Sequence, residues 1–279
     1  MALSILTNVA SLNAQRNLNS TQEALQGSIS KLSSGQRINN AADDAAGLGI
    51  SESLKASVRS LSQAQRNAND GISMSQVAEG AMNEMQGIVS RMRELSVQAA
   101  NNTLGATERG YIHTEFGQLS QEIDRISKVT NFNGQALLDG SASTGLTFQV
   151  GIYNSSDDRI SMSITKLNTS TLGSTTKITG TSLSTVTKAQ AAIGVFDAAI
   201  KNLSQARAKV GASQNRMSVT ISNLATSHEN LSAANSRIRD VDVASETATL
   251  TKMQILSQAG MAVLAQANQL PQAALSLLR

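Results

Sequence analysis

The stretch FDAAIKNLSQARAKVGASQNRMSVTISNLATSHENLSAANSRI, residues 196–238, decides the fold. Phe196, Leu203, Val210, Met217, Leu224, Leu231 and Ile238 fall on every seventh residue without a break. Ile193, Ile200 and Ile221 stand three residues before members of that row. The polar residues Arg207, Gln214, His228 and Asn235 hold the same companion position elsewhere. Apolar residues at this spacing make the seam of a coiled coil. The row covers about 42 residues, or roughly 63 Å of helix at ~1.5 Å per residue. One helix of that length cannot bury its own stripe, so it needs a partner of similar length.

Residues 44–100 supply one. Leu54, Val58, Leu61, Ala68 and Ile72 form one apolar stripe, and Met82, Met85, Val89, Met92 and Leu95 continue it. Asp43 or Asp44 offers a side-chain acceptor for the free N–H groups at the helix start. Asn101, Thr103 and Gly105 read as a turn. A further helix places Ile112, Leu119, Ile123 and Ile126 inward and stops before Asn131-Phe132-Asn133-Gly134.

Both outer ends are amphipathic. Leu18, Leu25, Ile29 and Leu32 form a stripe near the start. Met253, Leu256, Gly260, Val263, Ala267, Leu270, Ala274 and Leu277 alternate three and four apart near the end. Such stripes call for a covering surface. Pro271 lies inside the second stripe and is expected to distort it, because proline removes a helical N–H.

The texture between the helical flanks is different. Residues 131 to about 188 are rich in Gly, Ser and Thr. Leu146, Phe148 and Val150 alternate with polar residues, as do Ile160, Met162 and Ile164. Asn154-Ser155-Ser156-Asp157-Asp158 between them is turn chemistry, so a β-hairpin is expected. Residues 165–187 have no assignable period. The expected fold class is mainly α: a long antiparallel helical bundle or coiled coil formed by both chain ends, with a small β-hairpin region in the middle.

Composition argues against an enzyme. Aromatic residues make up 2% of the 279, with no Trp, although a compact enzyme of this length would bury several large rings. There is no Cys, which removes thiolate catalysis, disulfides and Cys-based metal sites. The two histidines, His113 and His228, are too few for a convincing zinc site; His228 falls on the seam and His113 reads as a surface residue. Gly47-Leu48-Gly49 lacks a third glycine and a preceding strand, so it is no nucleotide fingerprint. The adjacent pairs Asp43-Asp44 and Asp157-Asp158 read as a cap and a turn, since neighbouring side chains diverge. No catalytic, cofactor or metal residue is expected. Net charge is +3, with the basic residues scattered singly, which disfavours nucleic-acid binding. The start MALSILTNVASLNAQRNL is not a secretory signal, and no stretch is apolar for the ~20 residues of a membrane span.

Two ordered segments carry a family resemblance. Lys31-Leu32-Ser33-Ser34-Gly35-Gln36-Arg37-Ile38-Asn39, followed by Ala41-Ala42-Asp43-Asp44-Ala45-Ala46-Gly47-Leu48, resembles the N-terminal signature of bacterial flagellin. Ser257-Gln258-Ala259, Leu264-Ala265-Gln266-Ala267-Asn268-Gln269, Pro271-Gln272 and Leu277-Leu278-Arg279 are similar to its C-terminal signature. Arg93-Glu94-Leu95, Phe132-Asn133-Gly134 and Ser236-Arg237-Ile238-Arg239-Asp240-Val241-Asp242 also match the family's pattern. The central zone, about residues 140–188, is too short for the extra outer domains of larger members.

The resemblance implies a structural subunit of the bacterial flagellar filament, extracellular and exported without a cleaved signal peptide. Terminal helices, residues 1–43 and 239–279, would form an inner tube. Residues 44–238 would form an outer-tube domain carrying the hairpin region. Implied partners are copies of itself in a helical homopolymer, an export chaperone on the C-terminal helix, and filament cap and hook-junction proteins. The expected polymer contacts are Leu18, Leu25, Ile29, Leu32, Met253, Leu256, Val263, Leu270 and Leu277, since an isolated subunit would leave both terminal stripes uncovered. Some flagellins are recognised by a Toll-like receptor, and the matching positions here are Arg91, Leu95 and Glu115. Arg91 and Leu95, four apart, share a helix face; a core Leu95 beneath a solvated Arg91 fits the same spacing. The alternative reading is another secreted coiled-coil axial protein, such as a hook-junction or needle-tip component.

Overall fold

A computed structural model describes residues 7–173 and 176–276. Among them are five α-helices: α1 (Val9–Ser34), α2 (Ala45–Ala99), α3 (Ala106–Val129), α4 (Val186–Arg239) and α5 (Val243–Ser276). Two antiparallel hairpins lie between α3 and α4: β1 (Asn131–Phe132) with β2 (Gln135–Ala136), and β3 (Leu146–Gln149) with β4 (Arg159–Met162). The mainly helical fold with a small hairpin region is therefore the expected one. The chain forms two compact units, Met1–Val58 with Glu229–Arg279, and Arg59–His228.

The Arg59–His228 unit holds the core. Phe196, Leu203, Val210, Met217 and Leu224 of the seven-residue row are all buried. Their companions differ from expectation. Ile193 and Ile200 are only half-buried, whereas Ala192, Ala199 and Ala206, each one residue earlier, are sealed inside. The sequence reading favours the bulkier side chain, but the packing buries the smaller one.

The same rule governs α2. Its inward row runs Leu61, Ala64, Ala68, Gly71, Ser75, Ala78, Met82, Met85, Val89 and Met92, alternating three and four apart. Small residues fill the middle of this row: Ala64, Ala68, Gly71, Ser75 and Ala78. A Cβ on Gly71 would stand 2.7 Å from Met217 Sδ and 3.2 Å from a Phe148 ring carbon, so glycine makes room there. Ser75 hides its hydroxyl by donating to the Gly71 carbonyl at 2.7 Å.

Polar rungs show that α2 and α4 run antiparallel within this unit. Arg93 Nε donates to Asp197 Oδ1 at 2.6 Å, Arg207 Nη1 to Gln86 Oε1 at 2.9 Å, and Gln214 Nε2 to Glu79 Oε2 at 3.3 Å. Two of these are the polar interruptions of the expected seam. The exposed Arg93–Asp197 pair contributes about 0–1 kcal/mol. A fully buried Leu- or Met-sized side chain contributes roughly 1.5–3 kcal/mol. The seam therefore supplies the stability, and the rungs fix the register.

The remaining segments close this core. On α3, Ile112 and Ile123 are buried and Leu119 and Ile126 half-buried, as the spacing predicts. Phe116, not anticipated, is also buried and meets Phe196 edge-on, with ring centroids 5.8 Å apart. His113, expected at the surface, is half-buried and stacked on Phe116. The β3–β4 hairpin pairs Leu146 with Met162 and Phe148 with Ile160. Its turn is held by Asp158, whose side chain accepts from Tyr153 N at 2.9 Å. The Asn133-Gly134 turn has φ 49° and 79°, the left-handed pair that a two-residue hairpin loop demands. The stretch without a period is packed as well: Leu167, Leu172, Ile178 and Leu183 are buried. Thr169 Oγ1 donates to the Asp124 carboxylate at 2.8 Å.

The edge-on pair makes Phe196 the most informative core position. Phe196→Ala is expected to cost about 3–5 kcal/mol, the range for deleting a buried ring. Denaturant unfolding of the monomer checks this: the midpoint should fall with little change in slope.

Candidate assembly surface

The Met1–Val58 with Glu229–Arg279 unit is built on α1 and α5, which pack together. Asn8 caps α1 by accepting from Ser11 N at 3.1 Å. The start of α1 lies beside the far end of α5: Asn8 Nδ2 donates to the Ala267 carbonyl at 2.8 Å, and Ser11 Oγ to Asn268 Oδ1 at 2.8 Å. A Cβ on Gly260 would lie 3.3 Å from Leu18 Cδ1, so the two helices touch there as well.

The Asn8 bond explains the tolerance of Pro271. Proline has no N–H for the carbonyl four residues earlier, which is that of Ala267. Asn8 supplies the missing donor. Accordingly α5 does not end at Pro271, and its range extends to Ser276.

Burial divides the expected polymer contacts into two groups. Leu18, Leu25, Leu32 and Met253 are half-buried, while Ile29, Leu256 and Val263 are exposed. The Leu270 side chain and Leu277 fall outside the described residues. An isolated subunit thus does cover part of both stripes, because α1 and α5 cover one another. Val9, Leu12, Val243, Ile255 and Met261 are exposed too, although the sequence reading passes over them. Leu256 and Val263, seven apart, share one flank of α5. Met261 projects roughly 160° from Val263, at about 100° per residue. Apolar residues therefore stand on both flanks of the α1 contact, and a helix apolar nearly all round is normally buried. On α1 and α5 only Ser28 and Ala267 are fully buried among the described side chains.

A polar clasp ties the segments after α1 and α4 in this unit. Arg37 N donates to the Arg239 carbonyl at 2.6 Å, and Val241 N to the Gly35 carbonyl at 3.1 Å. Arg239 reaches Gln36 Oε1 with Nε at 3.0 Å and Glu52 Oε1 with Nη1 at 2.5 Å. The Arg239 hydrogen bond, then the charge of Lys55, holds the Glu52 carboxyl below its usual range. A depressed carboxyl pKa stabilises the fold above the ordinary value, and that contribution is lost as pH falls through the lowered one. Asp44 Oδ1 accepts from Gly47 N at 2.8 Å and so caps the start of α2; Asp43 Oδ2 accepts from Asn39 N and Asn40 N. Ser51 Oγ donates to Asn235 Oδ1 at 2.7 Å, giving a third polar interruption of the seam its partner.

In the Arg59–His228 unit, Arg91 and Glu115 meet on the surface. Arg91 Nε donates to Glu115 Oε1 at 3.0 Å, and Nη1 to Glu94 Oε2 at 3.2 Å. Leu95 is not beside them at the surface; it is 1% exposed, because it lies on the inward row of α2. Among the described residues no cluster of three or more His, Cys, Asp or Glu could hold a metal ion. No helix among them is long and apolar enough to cross a membrane.

The chain is similar to known proteins along nearly its whole length. The family described as bacterial flagellin N-terminal helical region matches residues 5–144, and bacterial flagellin C-terminal helical region matches residues 193–278. The flagellin of Halalkalibacterium halodurans is 47% identical over 272 residues, covering 98% of each chain. That of Bacillus subtilis is 44% identical over 301 aligned residues, again with 98% of each chain covered. The crystal structure of Bacillus cereus flagellin is 32% identical with a TM-score of 0.49, covering 61% of this chain and 94% of that one. The chain belongs to the bacterial flagellin family, the structural subunits of the flagellar filament.

Proposed function

We propose that filament growth is driven by neighbouring copies covering the apolar flanks that α1 and α5 leave open. The observation that carries this reading is the exposure of Ile255, Leu256, Met261 and Val263 around α5. Ile29, Leu256 and Val263 touch the neighbour directly, joined by Leu12, Ile255 and Met261. Leu18, Leu25, Leu32 and Met253 act from the α1–α5 seam, where they hold the two helices as one surface. Leu270 and Leu277 continue the contact toward the chain end. Each side chain fully covered contributes roughly 1.5–3 kcal/mol, offset by the entropy of docking. A repeated head-to-tail contact that does not close makes a helical polymer.

In this reading residues 1–43 and 239–279 build the inner tube, and residues 44–238 the outer-tube domain. The subunit is non-enzymatic and leaves the cell without a cleaved signal peptide. An export chaperone binds the C-terminal helix and masks its apolar flanks before assembly. Cap and hook-junction proteins meet the same helical ends at the two limits of the filament.

A Toll-like receptor would engage Arg91 and Glu115. Their bonded pair offers a planar cation beside a carboxylate on a rigid two-helix platform. Leu95 contributes from below by anchoring α2, not as an exposed apolar contact.

Two outcomes are expected. Val263→Asp, and deletion of residues 253–279, should each leave a soluble subunit that forms no filaments by electron microscopy; normal filaments from both would overturn the contact reading. Arg91→Ala monomer should lose most of its response in a Toll-like receptor reporter assay. A response equal to that of the native monomer would remove the receptor assignment and leave the filament reading standing.

A further inference from the structure

We infer that Met261 is an oxidation site, and that its modification decides whether a free subunit can join a filament. The second half rests on the proposed role of α5 as a contact helix. The argument starts from where the nine methionines lie. Met74, Met82, Met85, Met92, Met162 and Met217 are 4% exposed or less. Met253 is half-buried and Met261 is 54% exposed. Met1 lies outside the described residues. One thioether thus stands open on α5, with Gln254, Ser257, Gln258, Leu264, Ala265 and Asn268 at the neighbouring helical positions, while six are sealed inside the Arg59–His228 unit.

Thioether oxidation needs access to the sulfur lone pair. With hydrogen peroxide the sulfur attacks one oxygen, the O–O bond breaks and an S–O bond forms. The other oxygen departs as water after taking up a proton. Sulfur loses two electrons, and peroxide gains them. The product is a sulfoxide, polar and chiral where a flexible apolar side chain stood. Burying that S=O dipole against a neighbour's aliphatic surface, with no donor to satisfy it, opposes docking. Nothing comparable happens at the six core methionines, because peroxide does not reach them. Once a subunit is incorporated, its neighbour covers Met261, so the site is reactive in the free subunit and shielded in the polymer. Enzymes of the methionine sulfoxide reductase class reverse the change, which makes it a reversible block on addition.

The test uses the full-chain monomer and hydrogen peroxide, followed by peptide mass spectrometry and by elongation of filament seeds. Met261 should gain one oxygen at least roughly tenfold faster than any core methionine. Oxidised monomer should fail to elongate, should recover after treatment with methionine sulfoxide reductase, and should be matched by assembled filaments that resist oxidation at Met261. A Met261→Leu subunit, a volume-conserving change, should elongate as fast after peroxide as it does before, whatever its starting rate. Equal reaction of Met261 and the core methionines would overturn the site. Loss of elongation by peroxide-treated Met261→Leu, or no recovery of native subunits with the reductase, would overturn its assignment as the block. Normal elongation with Met261 oxidised, while Val263→Asp fails, would overturn this inference alone. Normal elongation by Val263→Asp would remove the contact reading itself and this inference with it.

Discussion

The antiparallel pairing of α2 with α4 is the constraint on which the Arg59–His228 unit depends. Small residues on each helix lie level with larger ones on the other: Gly71 stands against Met217, and Ala199 and Ala206 lie between the rungs at Asp197 and Arg207, level with Met92 and Val89. The larger residues then interdigitate along the same row: Met82, Met85, Val89 and Met92 from α2, with Phe196, Leu203 and Val210 from α4. A seam built mostly of Ala, Val, Leu and Met holds few rings, which fits the 2% aromatic content. Methionine suits it, because an unbranched thioether fills irregular gaps that a ring would overfill. The single edge-on contact of Phe116 with Phe196 sits where α3 is added and the core widens.

The α1 and α5 pair obeys the opposite arithmetic. Ordering a residue's backbone costs about 1–2 kcal/mol, and this must be offset by buried apolar surface. On these two helices full burial is limited to Ser28 and Ala267 among the described side chains, neither of them large. The exposed set on α5 alone includes Val243, Ile255, Leu256, Met261 and Val263. A helix pair so poorly covered is a half-built core, which the proposed contacts with neighbouring copies would complete. The polar clasp around Arg239 shows where specificity is placed instead of bulk: backbone bonds and one shielded arginine join two segments some two hundred residues apart in sequence.

Polar residues along the seam serve the same end. Arg207, Gln214 and Asn235 each interrupt a row that could have been wholly apolar, and each bonds to α2. A uniform apolar stripe would pair in several registers at similar energy, whereas a polar residue that finds its partner in one register disfavours the others. Their contribution to total stability is small, and their contribution to a single alignment is large. Arg91 and Glu115 form a related bonded pair on the surface of the same unit, above the buried Leu95.

What the sequence determined by itself was everything with a local period. The seven-residue row from Phe196 to Leu224 and the alternation of Leu146 to Val150 against Ile160 to Ile164 needed no distant information, because backbone geometry repeats them within a few residues. The terminal motifs carried the family for the same reason: they are contiguous. Only the tertiary structure decided which side chain at each position faced inward. Ala199 displaced Ile200 because a second helix lay close, and a partner's distance is not written in the spacing. Phe116, Leu167, Leu172 and Leu183 became core because other elements arrived to cover them. The terminal stripes divided into a covered seam and open flanks only when α1 met α5, and Pro271 proved tolerable only because Asn8 reached Ala267. In each case the deciding quantity was the area one element hides on another, which depends on contacts between residues far apart in the chain.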